Sequence, residues 1–157
     1  MANSAKVNLA TLILVATLFP VNLSNLEYSE EWIEISSSRG VSVSIKKDNG
    51  STFCKATRIY SHPSDEIKRV LDDKENYPTI FKRIDSVETI SNDIVHIKLD
   101  LPFPFYGRDY VVKYRYKRDG DTEYYIFEAT DEVEVPEDSE YVRLINASGV
   151  WKIEPMG

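Results

Sequence analysis

Residues 108–117, RDYVVKYRYK, alternate between two kinds of side chain. Successive residues of an extended chain face opposite ways. Arg108, Tyr110, Val112, Tyr114 and Tyr116 therefore share one face, and Asp109, Val111, Lys113, Arg115 and Lys117 share the other. The first face is aromatic and apolar and suits a core; the second is charged and reads as solvent-exposed. Arg108 begins the apolar face, where an isolated guanidinium is costly unless a carboxylate or several carbonyls satisfy it. Two arrangements answer that need. Arg108 can pair at the rim with Asp109 or Asp100 and hold the preceding turn, or it can be buried in a cavity against a polar ligand group or water. Spacing leaves both open.

The rest of the chain is punctuated in the same way. GVSVSI sets Val41, Val43 and Ile45 against serines and stops at KKDNGS, and TFCKATRIY returns as the second strand of a hairpin. SHPSDEIKRVLDDKE is the clearest helix: Pro63 and Ser64 suit its start, Asp65 and Glu66 its first turn, and Ile67, Val70 and Leu71 fall at helical spacing. NYPTIFKRID is interrupted by Pro78, and strand-length runs then follow one another to GVWKIEP, most of them separated by the turn signals SND, PFPFYG, RDGDT and PEDSE. Strands this close in sequence need no crossover helices, so the pattern predicts an α+β fold, an antiparallel meander curving over a small helix near 63–75. No repeat or linker divides the chain after Glu27.

Composition narrows the function classes. A net charge of −7 and a pI near 4.9 repel polyanions, so nucleic acid is not an expected partner. Cys54 is the only cysteine, which rules out an internal disulfide or a multi-cysteine metal site, and its place inside a strand suits a small buried residue. His62 precedes the helix as a solvated loop residue, and His96 shares a polar strand face with Lys98. No Ser/His/Asp order, His-rich metal spacing or glycine-rich phosphate loop is present, so no catalytic residue, metal or cofactor is expected. Lys6 precedes an apolar run that continues through Val21 before NLSNLEYSEE turns polar. Its core of about 13 residues has the form of a secretory signal and falls short of the roughly 20 that span a bilayer. Residues 1–26 therefore read as a signal-like segment, with Ser24 as the best small residue for cleavage and an uncleaved interfacial segment as the alternative. A domain over 27–157 would then be secreted or periplasmic.

LPFPFYGRDYVVKYRY resembles the central signature of the StAR-related lipid-transfer (START) family, a Pro-rich turn leading into an Arg-Asp-aromatic-Val strand. EEWIEISSSRGVSVSI resembles the family's opening, and STFCKATRIYSHPSDEIKRVLDDKENYP its Lys-Ala strand and following helix. YVRLINASGVWKIEP resembles the late Val-Arg and Gly-x-Trp-x-Ile-x-Pro strands. Together these segments cover nearly all of 30–155, in the family's order. The resemblance implies a helix-grip fold, a curved antiparallel sheet around a helix with a cavity for one sterol, phospholipid or similar apolar molecule. It also implies that the family's closing C-terminal helix is missing from this chain, as in a C-terminally truncated member. On this reading Arg108, Tyr110, Val112, Tyr114 and Tyr116 are candidate cavity-wall residues that contact lipid, with Arg108 a polar contact at one end. The expected partners are a lipid ligand and, transiently, a membrane surface; the oligomeric state is left open. Two other classes compete: a helix-grip enzyme such as a polyketide cyclase, and an envelope protein that uses its sheet as an interaction surface.

Overall fold

The computed structural model describes residues 7–16, 31–48 and 51–156. Its strands are β1 (Val7–Ala16), β2 (Ile33–Ser38), β3 (Val41–Asp48), β4 (Ser51–Tyr60), β5 (Ile84–Thr89), β6 (Ile94–Leu99), β7 (Gly107–Asp119), β8 (Thr122–Ala129), β9 (Tyr141–Arg143) and β10 (Ala147–Met156). Between β4 and β5 come helix α1 (Ser64–Asp72), a 3-10 turn (Lys74–Asn76) and a short helix α2 (Tyr77–Ile80). All the strands belong to one sheet in the order β2-β3-β4-β1-β10-β8-β7-β6-β5, with β9 beside β7. The architecture is α+β, as predicted, and the described chain ends in β10 without a further helix.

Local chemistry accounts for the main elements. β2 and β3 are joined by Arg39 and Gly40, both at positive φ (51° and 75°), the backbone that tight two-residue hairpins require. β3 pairs with β4 as the alternation in GVSVSI predicts, with Val43 opposite Ala56 and Ile45 opposite Cys54. α1 carries Asp65 and Glu66 in its first turn and presses Leu71 against Tyr125 and Ile153 of the sheet. Pro78, which reads as an interruption in the sequence, stands in the first turn of α2, where a missing N–H costs nothing.

Two features depart from the sequence reading. Val7–Ala16, the first part of the apolar run in the signal-like segment 1–26, is a strand, and it lies antiparallel between β4 and β10 with Leu9 opposite both Ile59 and Glu154. The remainder of that segment lies outside the described residues. A continuous apolar run carries no periodicity to tell a signal core from a strand bonded on both edges. β9 is the second departure, because it runs parallel to β7 in what was expected to be an antiparallel meander. β8 covers β7 only from Val112 to Asp119, which leaves the edge at 107–109 open for β9. The approach is close at Gly107, where a Cβ would stand 2.5 Å from the Tyr141 ring and 2.9 Å from the Leu99 carbonyl oxygen.

The main core gathers Val95, Ile97, Tyr110, Val112, Phe127 and Ala147 on the α1 side of the sheet. Two predictions follow from this packing. Gly107→Ala should destabilise the fold by about 1–3 kcal/mol, the usual cost of overpacking, and a denaturation midpoint equal to wild type would refute the close approach. Deleting residues 1–16 should leave the facing edges of β4 and β10 unpaired and drive association, as open edges do. A soluble monomer with unchanged thermal midpoint on size-exclusion chromatography would show that β1 is dispensable.

Candidate functional site

Where α1 arches over the sheet it leaves a cavity of about 430 Å3. Ile67, Val70 and Leu71 of α1 line it, with Leu71 and Ile67 packed on the sheet and Val70 partly exposed at its edge. Ile80 and Phe81 close one side, and Trp151 of β10 forms the floor. The aromatic walls brace each other: Phe81 lies 5.7 Å from Trp151 and meets Tyr77 edge to face at 5.1 Å. Tyr60, His62 and Glu66 supply the polar rim, with His62 Nδ1 3.1 Å from Glu66 Oε2. His62 is thus exposed, as expected, but it stands at a cavity mouth.

The five residues singled out on β7 share the inner face of the sheet, and none of them lines this cavity. Tyr110 and Val112 are buried in the main core, and Tyr114 packs 5.6 Å from Phe127. Tyr116 is half-exposed, 5.2 Å from Tyr125, and its hydroxyl donates to Glu123 Oε1 at 3.0 Å. Arg108 lies at the other end of the strand. Its guanidinium donates to the carbonyls of Tyr106 (2.7 Å) and Gly107 (3.1 Å), so of the two arrangements left open it holds the Pro-rich turn at the rim, through backbone acceptors in place of Asp109 or Asp100. Alternation identifies a face, but it cannot say which part of that face a helix leaves uncovered. The cavity residues of α1 were marked by their helical spacing and Trp151 by the Gly-x-Trp strand; Phe81 carried no signal beyond being large and apolar.

The buried phenols of the inner face share one protonation state. Burial pushes the Tyr110 phenol up to about 12 and raises Tyr114 and Tyr77 well above the usual range, so these hydroxyls stay protonated. Tyr77 donates to the Leu71 carbonyl at 2.7 Å, tying the end of α1 to α2. The Lys74 ammonium stands 4.7 Å above the Tyr114 ring, and burial lowers its pKa. Lys68 is held charged by Asp72 at 2.7 Å and also donates to the Tyr125 hydroxyl at 2.8 Å.

The outer face of β7 corrects a second expectation. Asp109 was placed on a solvated charged face, yet it is 1% exposed, with Val111 and His96 also buried. Three donors converge on its Oδ2: His96 Nε2 at 2.8 Å, Arg143 Nε at 2.8 Å and Arg143 Nη2 at 2.7 Å. Burial alone would raise the Asp109 carboxyl, but the bonds from Arg143 and His96 outweigh it and hold the group below the ordinary carboxylate value. An ionised carboxylate only accepts, so His96 Nε2 carries a proton. Arg143 also donates to the carbonyls of Val135 and Pro136, fastening the 130–140 loop against the sheet. The buried charge of the Arg-Asp step is therefore the aspartate.

A START domain profile matches residues 20–152. The chain belongs to the START domain family. Two solved structures share the START architecture described above. The STAR-related lipid transfer protein of Xanthomonas axonopodis (fragment 25–204) superposes with a TM-score of 0.62 over 82% of this chain and 83% of that one, at 15% identity. Human STARD10 superposes with a TM-score of 0.59 over 85% of this chain, at 14% identity, and this START chain spans 65% of the STARD10 chain. No curated protein sequence matches.

Asp109→Asn should cost about 3 kcal/mol, because it breaks a buried charge cluster and leaves Arg143 uncompensated. A carboxyl depressed in the folded state contributes stability that is present above its unfolded pKa, near 3.9, and is lost as pH falls through the folded value. The stability of the wild type should therefore drop below about pH 4, and the Asn variant should lack that component. Superimposable urea midpoints for the two proteins from pH 3 to 7 would remove the cluster from the account.

Proposed function

We propose that this START domain binds one apolar molecule, a sterol, phospholipid or similar lipid, and carries it without chemical change. The observation that supports this most directly is the apolar cavity under α1, whose 430 Å3 falls within the roughly 300–1,000 Å3 of small-ligand sites. Apolar surface moved there from water is stabilised by about 25 cal/mol per Å2. The rim residues Tyr60, His62 and Glu66 offer polar groups to a head group at the mouth. Tyr110 and Val112 belong to the main core, and Tyr114 packs against it. Arg108 is left out of the contact set, since its guanidinium serves the turn.

Transfer also requires contact with a membrane surface, and the Pro-rich turn suits it. Phe103 is 96% exposed, and Phe105 and Tyr106 beside it are exposed as well. Such aromatic groups favour the boundary between water and hydrocarbon. Among the described residues no helix is long and apolar enough to cross a membrane. Export to a secreted or periplasmic location would follow if residues 1–26 direct it, but cleavage near Ser24 would also remove β1.

Purified protein should release a bound lipid on solvent extraction, visible as a discrete mass increment in native mass spectrometry. Val70→Asp puts a carboxylate at the cavity roof on a side chain already partly exposed. It should reduce lipid loading at least about tenfold, the effect of roughly 1.4 kcal/mol, with little change in thermal midpoint. Full loading of that variant, or an empty wild-type protein that self-associates, would overturn the reading.

A further inference from the structure

Residues 131–143 lie across the outer face of the sheet, and the side-chain contacts that hold them there share one kind of acceptor. Glu132 accepts from Lys113 of β7 at 2.7 Å, and Asp138 from Lys98 of β6 at 2.8 Å. Arg143 Nη2 stands 2.7 Å from Asp109 of β7, and the Tyr141 hydroxyl donates to Asp85 of β5 at 2.9 Å. Each tether therefore ends on a carboxylate. The backbone is fixed at both ends of the segment, where Thr130 N–H donates to the Val111 carbonyl at 3.0 Å and Leu144 N–H to the Asp109 carbonyl at 2.8 Å. Between those points β9 pairs with β7 over three residues. Val111, Ala129 and Leu144 belong to the apolar lining of a cavity of about 770 Å3 that the segment walls.

We propose that residues 131–143 form an acid-released flap: protonation of Asp85, Asp109, Glu132 and Asp138 detaches the segment between Thr130 and Leu144 and uncovers Val111 and Ala129, while the rest of the sheet stays folded. Burial raises the Asp109 carboxyl, the bonds from Arg143 and His96 lower it by more, and the Lys98 ammonium lowers Asp138. Both carboxylates contribute stability that is present above their unfolded pKa, about 3.9, and is lost as pH falls through the folded values, so release falls below about pH 4. The other charged groups around the tethers are Glu88 opposite His96, Asp93 at 3.8 Å from Lys113, the Arg115–Glu128 pair beside Lys113, and Asp131, Glu134, Glu137 and Glu140 on the segment itself. Acid leaves the lysines and arginines charged, so each ion pair loses only its carboxylate half. Arg143 departs with the flap because it also holds the Val135 and Pro136 carbonyls, and a neutral carboxyl at Asp109 stays buried at far less cost than a charged one. The inner face is joined to α1 by apolar packing of Leu71, Tyr125 and Ile153, which protonation does not alter. The flap therefore opens before the core does.

Amide hydrogen exchange of the full chain reads the flap directly, followed from about pH 7 to about pH 3 as protection factors that remove the intrinsic pH dependence of exchange. Peptides within 131–143 should lose at least about tenfold in protection below about pH 4, while β6, β8 and β10 keep theirs. Glu132→Gln/Asp138→Asn removes two tethers at partly exposed side chains, where folding is not at risk. It should lower the protection of 131–143 about fivefold at neutral pH, as the loss of two partly screened ion pairs does. Loss of protection in β6, β8 and β10 at the same pH as the segment would make the transition global unfolding and overturn the flap. Protection of 131–143 that persists to the acid end of the series, or that is equal in the double variant and the wild type, would overturn it as well.

Discussion

Asp109 holds together parts of the protein that the chain visits at separate times. Its carboxylate sits on β7, takes one hydrogen bond from His96 on β6 and one from Arg143 Nε on β9, with Arg143 Nη2 in ion-pair contact, and is almost wholly removed from water. A carboxylate in that position persists only if charge and hydrogen bonds replace its lost hydration. The replacement also determines the surrounding backbone. Arg143 must come alongside the start of β7, so β9 runs parallel there, Gly107 has no room for a side chain, and the guanidinium reaches the carbonyls of the 130–140 loop. Arg143 thus links Asp109 to the acidic loop, which the Lys98–Asp138 and Lys113–Glu132 ion pairs also tie to the sheet.

The inner face is held by a different kind of force. Tyr110, Val112 and Phe127 form a packed apolar layer, and α1 contacts the sheet through Ile67, Lys68 and Leu71. The arch leaves Trp151 and Phe81 facing Ile67 and Val70 across open space. Apolar walls with polar groups only at the mouth are what a lipid requires, and the buried phenols nearby stay protonated and cannot introduce charge. The two faces of one strand therefore serve opposite ends: the inner face completes an apolar core, and the outer face anchors a charged loop.

Much of this was legible in the residues. The alternation of β7, the hairpin of β3 and β4 and the helical spacing of Ile67, Val70 and Leu71 point to an antiparallel sheet over a short helix, because each depends on local periodicity or turn chemistry; the grip of the sheet on the helix is what the START resemblance implied. Three features were not legible. Asp109 and Arg108 are adjacent and both charged, and period-two reading put the arginine inside and the aspartate outside. The solution depended on Arg143, thirty-four positions later, arriving beside Asp109. The apolar run Val7–Ala16 fits a signal core and a doubly paired strand equally well, and only the neighbours β4 and β10 distinguish a strand. Trp151 stands in the Gly-x-Trp strand, but its place on a cavity wall depends on where α1 packs.

The sequence by itself determined which segments are extended, which is helical and which face of each is apolar, since those follow from side-chain period, proline and glycine placement and charge. Tertiary structure alone decided which charge is buried, where the cavities lie and that β9 runs parallel. Those outcomes depend on contacts between residues far apart in the chain, and on space left over after packing, and neither quantity has a local period to read.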